Sequence, residues 1–272
     1  MKSKIFCIPL LLAISARMQA QVVRSSISAF YTETDPYSGI ASNVFSTASN
    51  QAALARVQQF SAGIYGEKRF LLQDLGFYKT AFSMPTGLGN FGLNMDYFGN
   101  SAAYTSRIGF GYGRKLSEKA DAGIQFNYHM LSTAGYGKVS TLTVEGGMIF
   151  QLSNRLRSGF HVFDPQGAKI GKDERLPAVY SAGLGYDASD NMSIDAVLQK
   201  TDNQPVDLFA TVLYRFDERL FARAGLSAST SIFLMGARVV VNDFRIDVSA
   251  SMHPNLGITP GLMLIYYPAA KS

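Results

Sequence analysis

The stretch Asp121–Met130, with the sequence DAGIQFNYHM, decides the fold because its side chains alternate in character. One set is apolar or aromatic, and the other consists of Asp121, Gly123, Gln125, Asn127 and His129. Successive side chains of a β-strand point to opposite faces, so a period of two gives the strand one apolar and one polar face. The stretch therefore predicts a strand that separates two different environments.

The same alternation recurs along most of the chain. Leu142–Gln151 and Phe244–His253 show it as clearly as Asp121–Met130 does. Strands of transmembrane barrels are alternating segments of about ten residues with turn residues between them. About fourteen such segments are predicted, at residues 60–72, 74–86, 89–100, 102–116, 119–132, 138–152, 156–165, 176–188, 191–201, 205–217, 220–229, 231–241, 244–254 and 256–268.

The connections between these segments fall into two sets. Every second connection is a tight polar turn, as at Ser117–Lys119 and Ser189–Asn191, whereas the connections at 132–138, 164–177 and 201–205 are longer. Short periplasmic turns that alternate with longer outer loops are typical of outer-membrane barrels. An even number of strands then places both ends of the barrel on the periplasmic side.

A soluble β-sandwich also shows alternation, but two features favour a membrane barrel. The alternation continues over about ten residues, longer than the strands of about five or six residues that are most common. Aromatic residues such as Phe98, Tyr128 and Tyr214 lie near segment ends, where interfacial girdles form. We therefore predict an all-β fold, a transmembrane antiparallel barrel of about fourteen strands over residues 60–269. Mean hydropathy is only +0.06, far below that of a helical membrane protein.

Residues 1–20 have the layout of a secretory signal peptide, which predicts export to the outer membrane of a Gram-negative cell. Lys2 and Lys4 stand before an apolar run and a small-residue cleavage site. Their removal with Arg17, and with no acidic residue, takes the formal net charge from +5 to +2, so nucleic acid is not an expected partner. Cys7 is also removed, and a mature chain without cysteine suits an exported protein that does not rely on disulfides.

Residues 21–59 are less regular and are predicted to form a plug-like segment, luminal or periplasmic. Ile40–Thr47 is predicted to form one or two helical turns. A six-residue motif then precedes the first strand, and it consists of Asn50, Gln51, Ala52, Ala53, Leu54 and Ala55.

This N-terminal region resembles the start of the FadL-like outer-membrane barrels. It is more closely similar to the branch that contains PorV and PorQ of the type IX secretion system. In those families an Asn-Pro-Ala-Gly-Leu-Ala type of motif precedes the first strand. Asn50, Ala52, Leu54 and Ala55 match that motif, whereas Gln51 replaces proline and Ala53 replaces glycine. The resemblance implies a barrel of fourteen strands, in agreement with the alternating segments.

Several polar residues are predicted to face the lumen, namely Arg107, Gln125, Asn127, His129, Glu145, Asp195, Asp207, Arg215, Arg223, Arg245 and Asp247. Such residues line a wet channel or form paired networks that hold a plug. We favour a plug, because wall side chains alone do not fill a lumen of this width. Phe209, Leu213 and Phe221 are also inward by alternation and are candidates for an apolar pocket.

Candidate chemistry is sparse, and we predict no enzymatic activity, no cofactor and no metal. His129 is a candidate for a histidine-centred hydrolase site, but no local motif places a nucleophile, so a luminal role is preferred. The three histidines lack metal-ligand spacing. The glycines Gly109, Gly111 and Gly113 are interpreted as inward positions that relieve crowding, permit curvature or let a luminal segment approach the wall.

Two functions follow from these observations. The leading hypothesis is an accessory or scaffold in protein secretion or surface assembly, similar to PorV and PorQ. Its partners would be the lipid of the outer membrane and a larger protein machine or an exported cargo. Brief outer loops favour this function, and the charged loop 164–177 is interpreted as solvated or as a partner contact. The alternative is a FadL-like transporter of small hydrophobic molecules.

Overall fold

The computed structural model of the chain describes residues 29–33, 35–171 and 174–268. The predicted signal peptide lies outside these residues, as does the beginning of the predicted plug segment. In the part of the chain described, no helix has the length and apolar character needed to cross a membrane.

Fourteen strands form one closed antiparallel barrel, as the alternation predicts. Each strand pairs with its neighbours along the chain, and the barrel closes where the first strand pairs with the last, for example Ala62 with Tyr266. Two further strands, β8 and β9, form a separate small hairpin. The strands are β1 Ser61–Lys68, β2 Gly76–Thr86, β3 Gly89–Gly99, β4 Ala103–Ser117, β5 Ala120–Thr133, β6 Gly137–Gln151, β7 Leu156–Phe163, β8 Lys169–Ile170, β9 Glu174–Arg175, β10 Val179–Ser189, β11 Met192–Thr201, β12 Val206–Arg215, β13 Leu220–Ser227, β14 Ile232–Val241, β15 Phe244–His253 and β16 Gly257–Tyr266.

The two faces of the wall have opposite character. On β5, Phe126 is 60% exposed on the outer face, whereas its neighbours Gln125 and Asn127 are fully buried. This is the reverse of a soluble protein, in which the large apolar residues are inside. Closure leaves no unpaired strand edge between the first and last strands, as the hydrocarbon of a bilayer requires. The outer face is therefore the surface that meets lipid.

Three local predictions differ from the structure. The first strand ends at Lys68 rather than at residue 72, because Phe70 and Leu71 have positive φ values of 54° and 59° and turn the chain. The helical turn predicted at 40–47 occurs instead at Ser46–Ser49. The loop at 164–177 is not simply solvated, because it folds into the β8–β9 hairpin and buries Ile170 and Leu176.

The lumen is occupied by residues 29–33 and 35–59, which we call the plug. It contains the short helices Phe30–Glu33 and Ser46–Ser49 and the 3₁₀ helix Gln51–Arg56. Phe45 and Leu54 are fully buried, and Phe45 packs with residues of β1, β2, β14 and β16. The buried core of this molecule therefore lies between the plug and the inner wall.

Glycines on the inner face make this packing possible. Leu54 lies against Gly92, Gly111 and Gly113, and a Cβ atom added at Gly113 would be 2.6 Å from the Cβ atom of Leu54. The glycine-rich part of β4 thus lets a luminal segment approach the wall at two of its three glycines. At the third, Gly109, the space is taken by side chains of β5.

Candidate functional site

The motif before the first strand fastens the plug to the wall. The side-chain oxygen of Asn50 accepts a hydrogen bond from the backbone nitrogen of Ala52 (3.0 Å) and so caps the 3₁₀ helix. Its side-chain nitrogen donates to the carbonyl oxygens of Phe160 (3.1 Å) and Met148 (3.3 Å). Asn50 therefore orders the helix and attaches it to strands β6 and β7.

The rest of the motif fits the shape of the wall. Gln51, Ala52, Ala53, Leu54 and Ala55 are all buried against it. The side chain of Asn90 donates to the carbonyl oxygens of Leu54 (2.6 Å) and Val57 (2.8 Å). These contacts give every residue of the motif a packing role.

A polar network fills the inner face of β2–β7 and contains five of the predicted luminal residues. Glu145 accepts hydrogen bonds from Gln125 (2.8 Å) and Asn127 (2.9 Å) and pairs with His161 (2.9 Å). We call the whole set the Glu145 network, and it consists of Lys79, Asp96, Arg107, Gln125, Asn127, His129, Thr143, Glu145 and His161. All its members are buried, so it belongs to the filled half of the barrel.

His129 lies inside this network. Its Nε2 atom is 2.9 Å from the hydroxyl oxygen of Thr143, and its ring meets the edge of Phe163. The imidazole is fully buried. This environment matches the luminal interpretation of His129, in which the ring packs and hydrogen-bonds within the wall.

A second network joins the plug to β13–β15, and it contains three more of the predicted residues. Asp247 accepts hydrogen bonds from Arg245 (2.8 and 2.9 Å), from Arg238 (3.2 Å) and from the hydroxyl group of Tyr31 (3.0 Å). Arg223 donates to the carbonyl oxygen of Tyr31. It also pairs with Asp35 of the plug. We call this the Asp247 network, and it fixes the N-terminal part of the plug.

Three predicted residues lie outside both networks: Asp195 borders the cavity described below, and Asp207 and Arg215 lie at the two ends of β12. Asp207 is at the outer rim, where its carboxylate accepts hydrogen bonds from the hydroxyl group of Ser227 (2.7 Å) and the backbone nitrogen of Ser229 (2.8 Å). Arg215 is at the opposite end of β12 and donates to Asn191 in the turn between β10 and β11 (3.1 Å). The structure therefore does not bring the eleven polar residues together in one site.

Four ionisable wall residues of the networks are absent from the predicted set, namely Lys79, Asp96, His161 and Arg238. Strand alternation contains a signal for Asp96, which shares the inner face of β3 with Asn90 and Asn94. The alternation gives little indication that Lys79 and Arg238 face inward, because apolar residues flank them on both faces of their strands.

A cavity of about 930 Å³ lies on the outer side of the plug, mainly against β10–β16. Plug residues Asp35, Pro36 and Tyr37 form its floor. Exposed residues of the outer connections surround its mouth, namely Asn203, Gln204, Pro205, Ser229, Thr230 and Leu256. The cavity is therefore open at the end of the barrel that carries these connections, while the plug separates it from the other end.

The cavity wall is partly aromatic. Phe30 of the plug and Phe209 of β12 face each other with ring centroids 5.4 Å apart. Phe98 is predicted to belong to an interfacial girdle, but it lies on the inner face of β3 with Asp96 and adds apolar surface to the cavity, as do Val179 and Val197. Of the three apolar residues predicted to line a pocket, only Phe209 does so. Leu213 and Phe221 lie nearer the periplasmic ends of β12 and β13, where Leu213 is buried and Phe221 packs under Arg238.

The charged lining of the cavity is mainly acidic. It includes two arginines, and Arg69 already pairs with Glu67 (2.9 Å) and lies over the ring of Phe98 (4.6 Å). The other arginine, Arg175, is exposed at the mouth. The acidic residues that border the cavity are Glu33, Asp35, Glu67, Asp195, Asp202 and Asp207.

Asp195 of β11 differs from the other acidic residues of the cavity in how its carboxylate is satisfied. One oxygen accepts a hydrogen bond from the backbone nitrogen of Tyr37 (3.2 Å). The other oxygen is buried and has no hydrogen-bond partner among the described residues, although the side chain is only 3% exposed. Natural proteins rarely leave such an atom unsatisfied, so this oxygen is a candidate contact for a ligand.

The fold is similar to that of known outer-membrane transporters. No protein-family model matches the sequence, and no curated protein matches it. A Pseudomonas aeruginosa FadL homologue superposes with a TM-score of 0.62 over 85% of this chain and 96% of its own, at 12% identity. The toluene transporter TodX of P. putida gives 0.61 over 84% and 95%, at 10% identity. The toluene transporter TbuX of Ralstonia pickettii gives 0.57 over 82% and 92%, at 13% identity. At these identities the likeness concerns the fold alone: this chain forms a closed antiparallel barrel of fourteen strands, as the predicted fold class requires, and that barrel superposes on those of the three transporters.

Proposed function

We propose that this chain is a non-enzymatic outer-membrane channel that takes up small hydrophobic molecules from outside the cell. The observation that carries the proposal is the outward-open cavity, with its aromatic wall and its floor formed by the plug. Its volume of about 930 Å³ lies within the range of about 300–1,000 Å³ that is usual for small-molecule sites.

The short outer loops do not argue against this function. The cavity is formed by the inner wall of β10–β16 and by the plug, so it does not need long loops to enclose it. The similar folds of two toluene transporters support the transporter hypothesis over the secretion hypothesis, and nothing in those comparisons points to PorV or PorQ. They also support location in the outer membrane.

The proposal can be tested with a tryptophan reporter, because the chain contains no tryptophan. Phe209→Trp places one indole ring in the cavity, and Phe160→Trp places one on the lipid-facing side of β7, where Phe160 is 58% exposed. Both variants are reconstituted in lipid vesicles, which add no tryptophan, and are titrated with bromobenzene, a small apolar quencher. We expect saturable quenching in Phe209→Trp, with reversal by excess toluene.

Phe160→Trp is the matched control, since quencher dissolved in lipid reaches its indole without a binding site. Its quenching should rise in proportion to bromobenzene and should not respond to competition by toluene. If Phe209→Trp behaves in the same unsaturated way, the cavity holds no small hydrophobic molecule and the proposed function is wrong.

Protein secretion remains a second candidate because of one feature of the rim. Strand β6 begins at Gly137, but β7 pairs with it only from Glu145 onward. Among the described residues, 137–143 of β6 have no strand partner on that side. A free strand edge is a surface that another protein can extend by β-pairing. Affinity purification from solubilised membranes tests this candidate, and recovery as a lone monomer would count against it.

A further inference from the structure

We propose that the cavity selects apolar molecules that carry a cationic amine, with Asp195 as the residue that contacts the ammonium group. This inference rests on the proposed function and specifies its ligand class. Asp195 borders the cavity, and the inference starts from its buried carboxylate oxygen that has no hydrogen-bond partner among the described residues.

The position of Asp195 matches an amphipathic ligand. The carboxylate lies at the floor, beside the backbone of Tyr37, while Val197 on the same inner face of β11 and the Phe30–Phe209 ring pair stand around it. An ammonium group at the floor would donate hydrogen bonds to the unpartnered oxygen. The apolar body would then lie against the aromatic wall, and aromatic faces also attract cations.

The charges of the cavity favour this sign of ligand. Of the two arginines in its lining, Arg69 is engaged by Glu67, and Arg175 is exposed at the mouth rather than placed at the floor. Asp202 and Asp207 add negative charge at the mouth. A carboxylate ligand would meet like charges at the mouth and would offer the Asp195 oxygen no donor, and a ligand without any hydrogen-bond donor would leave that oxygen unsatisfied.

Three probes with one apolar body separate these cases: phenylbutylamine, phenylbutanol and phenylbutyrate. Their binding to the full mature chain in zwitterionic nanodiscs is measured by calorimetry at neutral pH. We expect the amine to bind about tenfold more tightly than the alcohol, since a charge-assisted hydrogen bond in a buried site contributes at least that much. The carboxylate should bind more weakly than the alcohol.

Asp195→Asn tests the residue, and Asp190→Asn is its matched control. Asp190 stands in the turn before β11 with its side chain almost fully exposed, so the same change there keeps the cavity intact. The amine should lose about tenfold in affinity in Asp195→Asn and none in Asp190→Asn, while the alcohol is unaffected in both.

The outcomes separate this inference from the function on which it rests. Equal binding of amine and alcohol to the wild-type chain overturns the amine preference but keeps a hydrophobic-molecule site, and this comparison needs no folded variant. An amine preference that survives in Asp195→Asn overturns the role of Asp195. Failure of all three probes to bind overturns both the inference and the proposed function.

Discussion

The contact between the plug and β5 predicts that Gly123→Ala destabilises the protein. A Cβ atom at Gly123 would lie 2.6 Å from the backbone nitrogen of Ala52 and would overlap the carbonyl group of Gln51. Both neighbours are backbone, so they cannot rotate away, and the 3₁₀ helix must move by about 1 Å. Overpacking of this kind costs about 1–3 kcal/mol.

The movement also weakens the attachment of the plug. Asn50 holds the same helix to β6 and β7 through hydrogen bonds of 3.1 and 3.3 Å, and a displacement of about 1 Å breaks their geometry. We therefore expect Gly123→Ala to lower the free energy of unfolding by at least the overpacking cost. Equilibrium unfolding by urea in lipid vesicles measures it, followed by the fluorescence of the tyrosines.

Gly66→Ala is the matched control. Gly66 lies on the outer face of β1, and a Cβ atom there meets the ring of Tyr78 at 3.4 Å and the carbonyl oxygen of Phe77 at 3.9 Å, both ordinary contacts. Loss of glycine without a clash stabilises by about 0.4–1 kcal/mol through the unfolded chain. If Gly123→Ala is as stable as Gly66→Ala, the plug does not lie against the wall at β5, and the reasoning about the glycine-lined wall is wrong.

The other predictions concern the plug, the buried charges and one turn. Deletion of residues 22–55 should raise ion conductance in planar bilayers, because the lumen loses its filling; unchanged conductance would contradict this. Asp247→Asn should lower the free energy of urea unfolding by about 3–5 kcal/mol, because it leaves buried arginines without their counter-charge. Asp195→Asn should leave that free energy unchanged or raise it, since a poorly satisfied buried carboxylate is costly. In the turn after β12, backbone N–H groups of Arg219 and Leu220 lower the pKa of Asp217, so its stabilisation is complete at neutral pH and is lost as the pH falls through that lowered pKa. Amide resonances of the turn should titrate there by NMR in the wild type but not in Asp217→Asn.

The direction of most side chains could be predicted because alternation is a local property. In Asp121–Met130 every outward residue is apolar or alanine and every inward residue is polar or glycine, so the sequence alone identifies the two faces. The signal weakens where both faces are apolar, as around Lys79 and Arg238. There the residue that enters a buried ion pair is not distinguished from its neighbours.

The location of the cavity could not be predicted, because it depends on where the plug crosses the lumen. Alternation places Phe209 and Leu213 on the same face of β12, yet Phe209 lines the cavity and Leu213 is buried beyond it. The depth at which the plug lies is determined by contacts between distant parts of the chain. Asn50 with Phe160, and Tyr37 with Asp195, are examples that no local pattern indicates.

The attachment of Tyr31 to Asp247 has a consequence for biogenesis. The two residues are 216 positions apart, so Tyr31 of the plug can form this hydrogen bond only after β15, the penultimate strand, has reached the barrel. A barrel that has already closed would have to take in the folded plug through one of its ends. The pairing of β1 with β16 should therefore form last, around a plug that is already in place. Defects in β15 should delay barrel closure, although the residues affected lie outside the β1–β16 pairing.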